Sequence, residues 1–92
     1  MYKYNHDCPF EAFITNLHEY NNGKVIGKWL KFPANEIDFN NTLMEIGVNS
    51  RYREWFVSDY GFYVDGIKDK FSSFSSFEEL NAIAKEVIEI GT

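Results

Sequence analysis

The stretch Phe13-Ile14-Thr15-Asn16-Leu17-His18-Glu19-Tyr20-Asn21-Asn22-Gly23-Lys24-Val25-Ile26-Gly27-Lys28-Trp29-Leu30-Lys31-Phe32-Pro33 decides how this chain folds. Residues 14–20 and 25–32 are rich in β-branched, large aliphatic and aromatic side chains, the composition of strands. Between them Asn21-Asn22-Gly23 is a strong hairpin signal, because Asn and Gly tolerate the positive φ of tight turns. The segment therefore reads as strand, tight turn, strand. Gly27 interrupts the second strand and marks a bulge or a close packing contact. Pro33 ends it, since proline cannot donate to a ladder.

Outward from this unit the first strand extends back to Phe10. Ala12, Ile14 and Asn16 share one face, and Phe13, Thr15 and Leu17 the other. Apolar residues on both faces mark a central strand. Residues 1–9 have no period and form an irregular lead-in.

Beyond Pro33 the period becomes helical. Asn35 is a good N-cap, Asp38 suits the first turn, and Gly47 is a C-terminal stop. Ile37, Leu43 and Met44, with Phe39 and Ile46, supply the apolar stripe. Residues 52–60 alternate as a third strand, with Tyr52, Glu54, Phe56 and Ser58 facing one way and Arg53, Trp55, Val57 and Asp59 the other. Gly61 breaks it. Residues 61–75 make a long connection that Phe62, Tyr63, Val64, Phe71 and Phe74 fold back over the sheet.

A last helix opens at Ser76. Ser76-Phe77-Glu78-Glu79 is a capping box. Phe77, Leu80, Ala84 and Val87 form its stripe, widened by Ile83 and Ile90, and Gly91 caps its end. The order is ββαβα in one α+β domain over residues 1–92. Connection rules place the third strand beside the first, giving a three-stranded antiparallel sheet of order 2-1-3 with both helices on one face.

Composition bounds the function. The 92 residues suit one domain, and an apolar fraction of 45% with 18% aromatics marks a folded globule. No apolar run is long enough to span a membrane, and no secretory leader is visible, so a cytoplasmic setting is expected. The single cysteine, Cys8, has no partner for an internal disulfide and reads as an inert thiol in a loose N-terminal segment. His6, Asp7 and Cys8 are adjacent in sequence and do not make a triad, and His18 reads as a surface residue. No metal-ligand spacing and no phosphate loop is present, so neither metal, cofactor nor catalysis is expected.

Net charge is −5. Phosphate repels such a chain, so it does not seek nucleic acid directly. The charge is uneven: residues 35–65 carry six acids against two bases, and residues 77–92 carry four against one, whereas residues 1–34 sum to +1. Glu78, Glu79, Glu86 and Glu89 gather near one face of the last helix. At about 1.5 Å per residue, a seven-residue spacing is roughly 10 Å along the axis. That is the scale of phosphate separation on a duplex. The bland alternative is a solvated face that keeps a small domain soluble.

Four pieces carry a family resemblance: Thr15-Asn16-Leu17, Tyr20-Asn21-Asn22-Gly23 with Gly27-Lys28-Trp29-Leu30, Glu54-Trp55-Phe56-Val57-Ser58-Asp59-Tyr60, and Ser76-Phe77-Glu78-Glu79-Leu80-Asn81. Together they span most of residues 13–90. In this order they resemble the N-terminal domain of ArdA-type antirestriction proteins, which open with an Ala-Asn-Leu strand, an Asn-x-Gly turn and a Gly-x-Trp strand. The resemblance implies an acidic, non-catalytic DNA mimic that occupies the DNA-binding groove of a type I restriction-modification enzyme. Carried onto this chain, it points to Glu78, Glu79, Glu86 and Glu89, supported by Glu36, Asp38, Glu45, Asp59 and Asp65. It leaves homo-oligomerisation open. Duplex DNA carries about one charge per 1.7 Å, so five net charges match only a few base pairs. The other reading of the residues is a small interaction module that meets its partner through Trp29, Trp55, Phe56, Tyr60, Phe62 and Tyr63.

Overall fold

The computed structural model describes residues 8–49, 54–63 and 76–91, with side chains as far as residue 88 in the last helix. Strand β1 (Phe10–Asn16) runs into a one-turn helix α1 (Leu17–Asn21), then strand β2 (Gly27–Phe32), helix α2 (Glu36–Glu45), strand β3 (Trp55–Phe62) and helix α3 (Phe77–Gly91). The sheet order is β2-β1-β3 and both pairings are antiparallel, as the connection rules require.

β1 is central because its main chain is used on both sides. Phe10 pairs with Phe32 and Thr15 with Gly27 on one side; Phe10 pairs with Phe62 and Asn16 with Trp55 on the other. Its even-numbered side chains enter the core: Phe10, Ala12 and Ile14 are fully buried and Asn16 nearly so. Odd-numbered Glu11, Phe13 and Thr15 project to the opposite face.

α2 and α3 cover one face of the sheet. Phe39 and Leu43 from α2, Ile46 just beyond its end, and Phe77, Leu80, Ala84 and Val87 from α3 form one cluster with Phe10, Ala12, Ile14, Phe32, Trp55 and Val57. Phe39 is its hub, stacked on Phe77 with centroids 4.2 Å apart and set edge-on to Trp55 at 5.1 Å. Asn81 ties α3 to the start of α2. Its amide donates to the Ala34 carbonyl, and its Oδ1 accepts from the Ala34 N–H, both at 2.8 Å. The Phe32–Pro33 peptide leading into this contact is cis.

The helix ends follow the expected chemistry. Asn35 Oδ1 accepts from the Asp38 N–H at 2.7 Å. At the other end of α2, Gly47 has φ +81°, and the Gly47 and Val48 N–H groups return to the Met44 and Leu43 carbonyls. This is a Schellman stop, with Val48 buried as its hydrophobic contact. Ser76 and Glu79 form the capping box in both directions, at 2.9 and 3.1 Å. Gly91 is the last helical residue of α3 rather than a residue beyond it.

Four expectations are corrected. The connection between β1 and β2 is not a tight turn. Asn16 Oδ1 accepts from the Glu19 N–H at 3.0 Å and starts α1, so residues 17–21 wind up and Gly23, at φ +86°, closes the helix instead of a hairpin. In α2, Ile37 and Met44 are 71% and 73% exposed. The buried stripe is Phe39, Thr42, Leu43 and Ile46, a phase set by the Phe39 stack, which puts Ile37 and Met44 on the outer pole.

In β3 the register shifts by one residue, with Ile14 opposite Val57 but Phe13 opposite Asp59. The extra residue is Ser58, whose hydroxyl meets Thr15 Oγ1 at 2.7 Å. This bulge moves Asp59 off the Trp55–Val57 face and returns Tyr60 and Phe62 to the core side. β3 also continues through Gly61 to Phe62. Tyr52, Arg53 and the expected folding-back of residues 64–75 lie outside the described residues.

Gly27 is a close contact, as its position in the strand suggested. A Cβ there would stand 2.6 Å from the Ile14 carbonyl oxygen and 2.8 Å from Phe13 Cε2.

Candidate partner-binding surface

The expected acids fall into three places. On α3 the core stripe fixes which side faces out. At about 100° per residue, Glu78, Glu79 and Glu86 project within roughly a quarter-turn of one another, opposite Leu80, Ala84 and Val87. All three are exposed. Lys85 lies in the same sector. Glu79 is partly committed, since Oε1 accepts from the Ser76 N–H. Glu86 makes no hydrogen bond or ion pair with another described residue. Placing glutamates in the first turn also suits the positive end of the helix.

On α2, Glu36, Asp38 and Glu45 are exposed. Glu36 and Asp38 occupy the first turn, where the helix dipole favours them. Glu45 ends the helix and is paired with Lys28 of β2, both side chains about half exposed. Asp38 and Glu45, with Asn41 and Thr42, face β2 across an open groove of about 270 Å³ whose other wall is Lys28, Trp29 and Leu30.

Asp59 stands apart. It sits opposite Phe13 on the sheet face turned away from α2 and α3, and its carboxylate accepts from the Tyr60 N–H at 2.8 Å. The structure thus gathers the helix acids on one layer and separates Asp59 from them. Asp65 and the Glu89 side chain lie outside the described residues.

The aromatic set also divides. Trp55 is core, and Tyr60 and Phe62 stack at 5.5 Å and pack against the core from the same side. Phe56 is 9% exposed and meets Tyr20 edge-on at 5.0 Å on the open face. Trp29 remains 43% exposed and leans on Phe13 at 5.2 Å. Tyr63 donates its hydroxyl to Glu11. Six aromatics therefore do not make one surface; the open face displays chiefly Trp29 and Tyr20.

Cys8 is buried, not loosely held, and its thiol donates to the Phe10 carbonyl at 3.3 Å. Burial pushes the thiol up, against the opposing pull of nearby Lys31. His18 is exposed on α1, beside a shallow cleft with Leu17, Asn21 and Glu54. His6 and Asp7 lie outside the described residues. Among the described residues there is no group of three potential metal ligands, and no helix is long and apolar enough to cross a membrane.

One structurally decisive residue was not visible as such in the sequence. Asn16 is 6% exposed, caps α1 through Oδ1, and donates through Nδ2 to the Ile46 carbonyl at 2.8 Å. It joins the central strand, α1 and the end of α2. The spacing Asn16-x-x-Glu19 is the signal that could have exposed the cap, since an Asx residue three before a glutamate marks a helix start.

The described residues form a small three-stranded antiparallel sheet whose two covering helices carry exposed acids on their outer sides. The family model of antirestriction protein (ArdA) matches residues 12–92. The chain belongs to that antirestriction family, a non-catalytic kind of protein that acts on restriction enzymes. A comparison with curated protein sequences returned no match.

Proposed function

We propose that this protein inhibits a type I restriction-modification enzyme in the cytoplasm by acidic DNA mimicry. The outer faces of α3 and α2 enter the groove that otherwise holds the duplex. The observation that carries this reading is the sector of α3 opposite its core stripe. Glu79 and Glu86 there are seven residues apart, roughly 10 Å along the axis. Glu78 adds charge beside them, Glu36, Asp38 and Glu45 extend the field along α2, and Glu89 is proposed with this set on its sequence position. Asp59, on the far side of the sheet, contributes only at long range; Asp65 is proposed with this field on its charge alone. No chemistry is performed on the partner.

The size of the charge limits the footprint. A net charge of −5 replaces only a few base pairs of duplex, so one copy competes for part of a groove. Competition is the direct test. Excess protein is expected to displace labelled DNA from a type I methyltransferase, with potency falling steeply as salt rises. Displacing no DNA even at low salt would sink the proposal for this chain. Changing Glu86 and Glu89 together to Gln is expected to leave the fold intact and slow association, as for steering charges.

A second reading is favoured by Trp29, 43% exposed beside Phe13 on the open sheet face. In it the protein is an interaction module and complex formation survives high salt, because apolar burial is not screened.

A further inference from the structure

The hydrogen-bond phase of the sheet leaves one edge chemically open. The Asn16 N–H donates to the Ile26 carbonyl at 2.8 Å, so the main-chain groups of even-numbered β1 residues are turned towards β2. Antiparallel ladders alternate, so in the register of β1 with β2 the exchanging pairs are Ile14 with Lys28, Ala12 with Leu30 and Phe10 with Phe32. The main-chain groups of Gly27, Trp29 and Lys31 therefore point away from β1. β2 is an edge strand, and no described residue bonds to these outward groups. At Trp29 they open into the groove between β2 and α2, where Asp38, Asn41, Thr42 and Glu45 form the facing wall.

We propose that this groove takes an extended, basic peptide segment of a partner protein by strand addition. The pairing is antiparallel, with one peptide residue exchanging both main-chain bonds with Trp29. Geometry then dictates the side-chain pattern. The residue opposite Trp29 lies on the same sheet face as the indole, so an apolar side chain there covers Trp29 and Phe13. Its two neighbours point the other way, towards α2. Those positions suit Lys or Arg. The Asp38 carboxylate has no hydrogen bond or ion pair with another described residue, and Glu45 holds only Lys28, at an exposed site. The recognised pattern is basic, apolar, basic. Main-chain bonding supplies affinity and the alternate side chains supply selectivity, as in other strand-addition grooves set between an edge and a helix. The site stands on the ladder phase and the groove, and does not depend on DNA mimicry.

The probe is the blocked heptapeptide Thr-Thr-Lys-Val-Lys-Thr-Thr, titrated into the isotope-labelled full chain. The amide resonances of Gly27, Trp29 and Lys31 are expected to shift, with much smaller changes on α3. Methylating the backbone nitrogen of the central valine removes the donor to the Trp29 carbonyl without touching the protein. It should weaken binding about tenfold or more. Asp38→Asn with Glu45→Gln should weaken the parent peptide several-fold and flatten its salt dependence. Equal binding of the methylated and parent peptides overturns the proposal, as does a shift pattern centred elsewhere. Sedimentation showing β2-mediated self-association that the peptide fails to reverse would also overturn it, because a second copy would then own the edge.

Discussion

The two faces of the sheet are made from the same strands but held by different means. The covered face is a continuous apolar cluster in which Phe10, Ala12, Ile14, Phe32, Phe39, Leu80 and Ala84 are wholly removed from water. The open face is a thin layer. Phe13 leans on Trp29, Phe56 meets Tyr20, and a Thr15–Ser58 hydroxyl pair stitches the bulge between them. The covered face carries the fold, while the outer sides of its helices, the open face and the β2 edge leave groups exposed that can meet a partner.

Breaking the covered face should have the largest effect. Phe39→Ala removes the ring that stacks on Phe77 and meets Trp55, and should cost about 4 kcal/mol of unfolding free energy in urea titrations. Asn16→Ala comes next, at about 3 kcal/mol, because it removes the α1 cap and leaves the Ile46 carbonyl without its donor. If Asn16→Ala were as mild as a surface change, the join between β1, α1 and α2 would not matter to the fold.

Gly27→Ala tests the boundary between the faces. Its methyl would stand 2.6 Å from a main-chain oxygen that cannot swing aside, so a loss of about 2 kcal/mol is expected. On the open face, Trp29→Ala should cost only about 1 kcal/mol, since the indole is already 43% exposed. A loss as large as that of Phe39→Ala would mean that the open face is a second core. Smallest of all is Glu86→Gln, expected within about 0.5 kcal/mol of the parent in thermal unfolding while still lowering any partner's association rate.

α3 was almost fully legible in the sequence. Its capping box and its Phe77, Leu80, Ala84, Val87 stripe are local patterns, and they also fix where Glu78, Glu79 and Glu86 point. α2 was legible in its ends but not in its phase. Asn35 and Gly47 act through neighbouring main-chain groups, whereas the choice between Met44 and Phe39 depends on what lies across the core. The acids of α2 were therefore found as residues but not as a wall facing β2. The groove itself had no signature, because it arises from the phase of the β1–β2 ladder and the placement of a helix distant in sequence.

By itself the sequence determined the order of the three strands and the two longer helices, the central position of β1 and the antiparallel arrangement 2-1-3, and it carried the resemblance to the family. The elements and their arrangement follow from short-range periodicity, caps and the rules of connection, in which every residue answers mainly to its neighbours in the chain; the family rests on the ordered motifs. Tertiary structure alone decided that Asn16 starts a helix where Asn21-Asn22-Gly23 advertised a tight turn, that Ser58 bulges and carries Asp59 to the open face, and that Trp29 turns its main chain to a free edge. These outcomes depend on contacts between segments far apart in the chain, such as Asn16 with Ile46 and Thr15 with Ser58. A buried polar group must find a partner wherever the fold provides one, and that partner is not written in the local sequence.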